Sequence, residues 1–227
     1  MSTRASIQAK FPSAWVCAAP SDSSSTYAVH TEQPLHEPDA RFDGTFSWLP
    51  PMEAAVQRMM EPYWIDNEDR DTIAEGFEPA VEAAQASGYE LPEAFLRFMR
   101  SEDLRRRVPS PTACYFDAPE RIVRAPSPGD GILIRFLNDQ QWCAHWYLYV
   151  ERGGAHAVVT SRFAFDVDLI PGEEGDAIEA VVYECAPDFE RFIHRMWFEG
   201  TAWLASVNKH RPLTDAESRY LAQFARS

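Results

Sequence analysis

The sequence predicts an α+β domain: N-terminal helices, then a largely antiparallel β-meander sheet, then a long C-terminal helix packed on it. Three observations lead there. Apolar residues recur at helical spacing between residues 52 and 99; three runs rich in branched and aromatic residues, joined by short polar turns, lie between Gly131 and Ser161; and an apolar stripe from Phe189 to Leu204 needs a sheet to cover. The 227 residues, 45% hydrophobic and 13% aromatic, supply enough large side chains for a packed core. At about 150 residues per domain this length fits one domain with extensions. We divide the chain into an irregular N-terminal arm (1–45), the α+β domain (46–207) and a C-terminal helix extension (208–227).

The arm combines the run Ser21 to Ser25 with Pro20, Pro34 and Pro38, a composition that buries little apolar surface. Trp15 and Trp48 are the residues in and beside it suited to dock on the main body. After Pro50 and Pro51, Met52 to Glu61 reads as a short helix that Pro62 should stop. Thr72 with Glu75 makes a capping box for a second helix. In it Ile73, Phe77, Ala80, Val81 and Ala84 share a face and Gly88 supplies the terminator. Pro92 suits the first turn of a third helix, whose apolar face is Leu91, Phe95, Phe98 and Met99. Arg97, Arg100, Arg105, Arg106 and Arg107 gather near its end, where cations offset the negative end of the helix dipole.

Val108 to Pro111 breaks the helix, and short β-rich pieces follow at Ala113–Phe116 and Arg121–Arg124. The meander then has strands at Ile132–Leu137, Gln141–Val150 and Ala155–Ser161, with Asn138-Asp139-Gln140 and Gly153-Gly154 as turns. Alternation along the middle strand puts Trp142, Ala144, Trp146, Leu148 and Val150 on an inward face. Gln141, Cys143, His145, Tyr147 and Tyr149 fall on the other, mixed face. An acidic loop from Pro171 to Asp176 precedes a further strand, Ile178–Cys185. Asp188 caps the long helix, and Thr214 with Glu217 makes a capping box for a last one.

The formal net charge is −14. It is concentrated: Glu61 to Glu93 holds ten acids against one base, and Asp166 to Glu190 holds nine acids and no base. Such faces repel phosphate backbones and attract cationic proteins, so nucleic acid is not an expected partner. No 18 consecutive apolar residues occur, so neither is a membrane. Cys17, Cys114, Cys143 and Cys185 form no close pair, which fits reduced thiols in a cytoplasm.

Chemistry has thin support. Cys143 and His145, two apart on a strand, point the same way and could make a thiol–imidazole pair or, with His156 or Cys185, a zinc site. Neither an oxyanion donor nor close ligand spacing accompanies them. The carboxylate pairs Glu173/Glu174 and Asp166/Asp168 lack a calcium-loop pattern, and no glycine-rich phosphate loop is present. No cofactor or metal is expected, and a thiol- or metal-dependent enzyme centred on Cys143 and His145 is the alternative reading.

Four segments together resemble the SUKH superfamily, which contains the yeast cell-wall-assembly regulator and many bacterial toxin-immunity proteins. They are the helix from Thr72 to Gly88, the Leu91-Pro92-Glu93-Ala94-Phe95-Leu96-Arg97-Phe98 helix, the strand pair Ile132–Leu137 with Trp146–Val150, and the Asp188–Ile193 helix start. Where such proteins follow the second of these with an Asn/Gly-rich turn, this chain has Ser101-Glu102-Asp103-Leu104. The resemblance implies an α+β fold without enzymatic activity that works by binding other proteins, in many bacterial members by neutralising a toxin. The charge independently suits a basic partner. The contact is expected through Glu173, Glu174 and Asp176 of the acidic loop and through His145, Tyr147 and Tyr149 on the mixed face of the meander.

Overall fold

The computed structural model describes residues 7, 10–17, 28–30, 41–65, 73–119, 121–126, 128–167 and 182–224. The elements are β1 (Trp15–Cys17), β2 (Ala28–His30), α1 (Ala54–Ile65), α2 (Ile73–Ala86), α3 (Glu93–Arg100), α4 (Glu102–Arg106), β3 (Tyr115–Phe116), β4 (Val123–Arg124), β5 (Ile132–Asn138), β6 (His145–Val150), β7 (His156–Ser161), β8 (Tyr183–Ala186), α5 (Phe189–Asn208) and α6 (Asp215–Phe224). Strands β3 to β8 form one six-stranded antiparallel sheet in the order β3-β5-β6-β7-β8, with β4 also paired to β5. The fold is α+β, with the C-terminal helix on the sheet.

The front face of the sheet builds the main core. Ile132, Ile134 and Phe136 of β5, Trp146, Leu148 and Val150 of β6, and Val158 of β7 meet Phe77 of α2, Phe95 and Phe98 of α3, and Phe189 and Phe192 of α5. The phenylalanines pack edge to face, with centroids 5.0 Å apart for Phe95–Phe189 and 5.1 Å for Phe136–Phe189. That arrangement sets positive ring edges against negative faces. A bulge between Arg135 and Leu137 lets Leu137 join Phe136 in the same core, against strict alternation.

The back face is buried as well. Leu133, Tyr147, Tyr149, Ala157 and Val159 are covered by Ile7, Phe11, Phe165 and Val182. An antiparallel sheet commonly leaves one face wet; here segments distant in sequence close it. Lys10 fastens the N-terminal cover by salt bridges to Asp130 (2.6 Å) and Glu151 (2.8 Å), and Phe11 meets the Tyr149 ring edge-on at 5.1 Å.

Part of the segment expected to be an irregular arm is thus ordered against the body. Ser13 bridges Glu184 in parallel, the Ala14 amide donates to the Glu184 carbonyl and the Glu184 amide to that of Pro12, extending the sheet past β8. Trp15 is fully buried. Its Nε1 donates to Glu199 (2.8 Å), whose carboxylate also accepts from the Tyr220 hydroxyl (2.5 Å), and the Arg195 guanidinium lies 3.9 Å above the indole. One buried cluster therefore joins the N-terminal strand, α5 and α6.

Helix boundaries follow their caps. Asp188 accepts from the Arg191 amide at 2.8 Å, and Lys209 ends α5 in the left-handed region. Thr214 and Glu217 bond reciprocally, as their spacing predicts. Gly88 (φ +79°) follows α2, whereas Thr72 lies outside the described residues. Helix α1 starts later than expected and runs through Pro62 to Ile65, since an interior proline removes one hydrogen bond but does not forbid the next turn. The arginine cluster divides between two helices. Arg97, Arg100, Arg106 and Arg107 pair with Glu93, Glu78, Glu102 and Asp103, and buried Arg105 donates to the Met99 carbonyl. Of the strand expected over Ile178–Cys185, β8 occupies 183–186, and 178–181 lie outside the described residues.

Residues 41–49 dock on α5 around His194. Trp48 Nε1 and the Gly44 amide both donate to Glu190, and the His194 ring sits 4.7 Å from Trp48 and 5.4 Å from Phe42. Burial pushes the His194 pKa from 6.5 down to about 4. The unfolded chain then binds a proton that the native state refuses, so this contribution to stability is complete above about pH 6.5 and lost as pH falls toward 4. The ideal loss for such a shift is about 3 kcal/mol; with Phe42 and Trp48 only half-buried, about 2 kcal/mol is expected. Urea unfolding at about pH 7 and pH 4.5 should show His194→Leu losing less stability than the wild type by roughly that amount. Equal losses in the two proteins would remove His194 from the account.

Gly131 sets the closeness of β5 to β6. A Cβ there would fall 2.1 Å from the Val150 carbonyl oxygen. Gly131→Ala should therefore cost about 3 kcal/mol or more in denaturant unfolding, because backbone rather than a flexible side chain must move. A loss below about 1 kcal/mol would show that the two strands separate easily.

Candidate partner-binding surface

Of the residues expected to make contact, Glu173, Glu174 and Asp176 lie outside the described residues. The other three do not form a surface, and this corrects the reading of the meander's second face. His145, Tyr147 and Tyr149 are all buried. The Tyr147 hydroxyl donates to the Phe163 carbonyl (2.6 Å) and accepts from the Phe165 amide (3.1 Å). The Tyr149 hydroxyl meets Asp130 (2.9 Å) and Glu151 (3.2 Å), and burial, with these carboxylates beside it, pushes its pKa up to about 12. His145 Nδ1 lies 2.9 Å from Asn138 Oδ1. Strand alternation says which side chains share a face; it does not say that residues 7–11 and 163–165 will come to cover it.

The exposed aromatic of the meander is Trp142, which the same alternation placed inward. Strand β6 begins at His145, so residues 139–144 form the turn and alternation does not reach Trp142. Asp139 builds this turn. Its amide donates to the Ala144 carbonyl (2.9 Å), its own carbonyl accepts from the Trp142 amide (3.0 Å), and its carboxylate accepts from the Cys143 amide (3.2 Å). Asp139 is itself buried. The result holds Trp142 at φ +58° with 44% of its surface exposed. A left-handed conformation costs a residue other than glycine about 1–2 kcal/mol.

A buried polar network supports the ring from below. The Arg135 guanidinium lies 5.4 Å from the indole centroid, and the His145 ring meets it edge-on at 5.1 Å. Arg135, only 2% exposed, donates from Nε to both Asp166 oxygens (2.8 and 2.9 Å) and from Nη1 to Asp117 (2.8 Å). Burial opposes its charge, but Asp166 and Asp117 outweigh that and hold its pKa above the ordinary value. Asn138 links the parts, donating to Asp117 (2.9 Å) and meeting His145. Tyr115 stands beside this network, where burial and the Asp117 charge raise its pKa.

The pieces of the enzymatic alternative are not assembled here. The Cys143 thiol is exposed on the turn, 3.6 Å from the Gln141 carbonyl, while His145 is buried behind Trp142. His156 meets the Gly154 carbonyl, and burial pushes the Cys185 thiol up to about 12. Asp166 is engaged by Arg135, and Asp168 lies outside the described residues. Among the described residues no group of three His, Cys, Asp or Glu could hold a metal ion. A groove of about 460 Å³ lies on the helical side between Pro50, Val56, Trp197 and Pro212; the charges on its wall are engaged, Arg211 with Glu217 and Glu53 and Arg107 with Asp103.

The sequence did carry a sign of the tip. Asn138 to Gln141 is four polar residues, longer than the three-residue turn assigned to it, and Asp139 is a residue type that caps a following amide. Removing one partner from a buried ion pair strands the other, so Asp166→Ala should destabilise by about 3 kcal/mol in chemical denaturation. The double variant Arg135→Met/Asp166→Leu, which strands neither charge, should lose less; an equal or larger loss would mean that packing rather than charge holds the site together.

Comparison of the chain with protein-family models, with curated proteins and with solved structures returns no match.

Proposed function

We propose that this chain is a non-enzymatic protein-binding module working in the cytoplasm, of the kind the SUKH resemblance implies, and that its partner is a protein with a basic surface. Neutralising a cationic toxin is the form of this activity that fits an immunity protein. The observation that carries the reading is the disposition of charge. The arginine cluster from Arg97 to Arg107, the one dense run of cations beside the first acidic stretch, is spent on Glu93, Glu78, Glu102, Asp103 and the Met99 carbonyl. Glu61, Glu82 and Glu90 meanwhile stand exposed on the same helical region. Glu78 and Glu93 are thus paired, while Glu61, Glu82 and Glu90 keep part of the acidic excess facing outward; in a chain of net charge −14 such a field speeds and orients the approach of a cationic protein. Cys114, Cys143 and Cys185 form no disulfide, and among the described residues no helix is long and apolar enough to cross a membrane.

The test is isolation of the partner from the native host followed by titration in rising salt. Association should weaken about tenfold or more between 50 and 300 mM salt, and reversing Glu173, Glu174 and Asp176 to lysine should weaken it further at low salt. A partner that binds with indifference to both salt and charge reversal would overturn the electrostatic account.

A further inference from the structure

We infer that the β5–β6 hairpin tip, Gln140 to Cys143 with Trp142 at its apex, is the apolar anchor of that contact, packing against neutral apolar side chains of the basic partner protein. This rests on the protein-binding reading above and goes beyond it by assigning the anchoring residue. Among the described residues Trp142 is the one exposed aromatic; the other large exposed hydrophobics are Val167 and Val207. Its position works against folding. Glycine or asparagine would adopt φ +58° more easily, and the outward part of the ring covers no core.

The ring is nevertheless held in place. Arg135 lies beneath it and His145 meets its edge, so little freedom is left to lose when a partner closes over it. Tryptophan anchors of this kind carry a large share of interface energy once they are fully desolvated. The tip also carries no Asp, Glu, Lys or Arg: Gln140, Gln141, Trp142 and Cys143 are all exposed, in a chain of net charge −14. Burying it strips water from no carboxylate. The acidic faces attract the basic partner over distance, and the tip takes the apolar part of the contact.

The competing explanation, that Trp142 is a structural lid over Arg135, predicts different behaviour in Trp142→Gly and Trp142→Asn. If the residue is an anchor, both variants should melt within about 4 °C of the wild type, relief of backbone strain offsetting the lost ring contact. A fall beyond about 4 °C in both would make the ring structural and overturn the proposal. The binding arm uses a phage-displayed random dodecapeptide library panned on the wild-type protein. Enriched peptides should combine Lys or Arg with apolar residues and bind the wild type at least about tenfold more tightly than either variant. Peptides that bind all three proteins alike, or no enrichment at all, would overturn the anchor. Peptides that need Trp142 but ignore salt would leave the anchor standing and remove the basic-partner reading instead.

Discussion

A cation buried within a β-sheet has to be neutralised where it sits, and Arg135 imposes that condition on one end of this fold. Desolvating a lone guanidinium costs several kcal/mol, so carboxylates must come to it. They arrive from opposite directions in the chain: Asp117 from the segment after β3, Asp166 from the segment after β7. Asp166 draws its loop over the back of the sheet, while Phe116 and Ala118, on either side of Asp117, pack on the front core. Asp166 brings Phe163 and Phe165, which close over Tyr147, and its carbonyl accepts from Arg121, which leads into β4. Asp117 brings the short edge strand β3 and, through Asn138, fixes the His145 ring. What the second face of the meander looks like is therefore largely a consequence of one charge.

The remainder of that face and the far edge of the sheet depend on the N-terminal segment. Lys10 and Phe11 close it over Tyr149, and the next residues run along β8 until Trp15 reaches the cluster of Arg195, Glu199 and Tyr220. A strand edge left open invites pairing with another chain, and the bridge from Ser13 to Glu184 blunts it. The same few residues thus cover apolar surface, pair an edge and tie the last two helices to the sheet. This explains why Trp15, in a Ser- and Pro-rich stretch, is buried completely.

Local rules were readable where the information is local. The Thr214–Glu217 box, the Asp188 cap and the apolar face of α3 are set by residues within one turn of each other, and each stands where its spacing put it. The three runs of the meander were readable because branched and aromatic residues in alternation fit little else. One error arises where a distant partner decides. Nothing near Tyr147 or Tyr149 announces that residues 7–11 and 163–165 will bury them. The inward placement of Trp142 is an error of a different kind, a local one: it assumed a strand where the Asp139 carboxylate takes the Cys143 amide and makes a turn. In sequence Arg135 looks like an ordinary polar break in a strand, and only its two carboxylates reveal it as the keystone of the candidate surface.

Under the reading proposed here, the field and the anchor work over different ranges. A carboxylate acts across roughly 8–10 Å at ordinary ionic strength, so acids can guide a partner from faces that never touch it, while an indole acts only on contact. Placing charge at the tip would add little to the approach and would cost desolvation on docking. Keeping it neutral and strained separates the two demands. The left-handed turn fixes where Trp142 points, the Arg135–Asp166–Asp117 network keeps it there, and the expense is met in the folding of the free protein rather than in the binding step. A buried ion network adds little to net stability compared with apolar packing; here its worth lies in holding a tryptophan still at the surface.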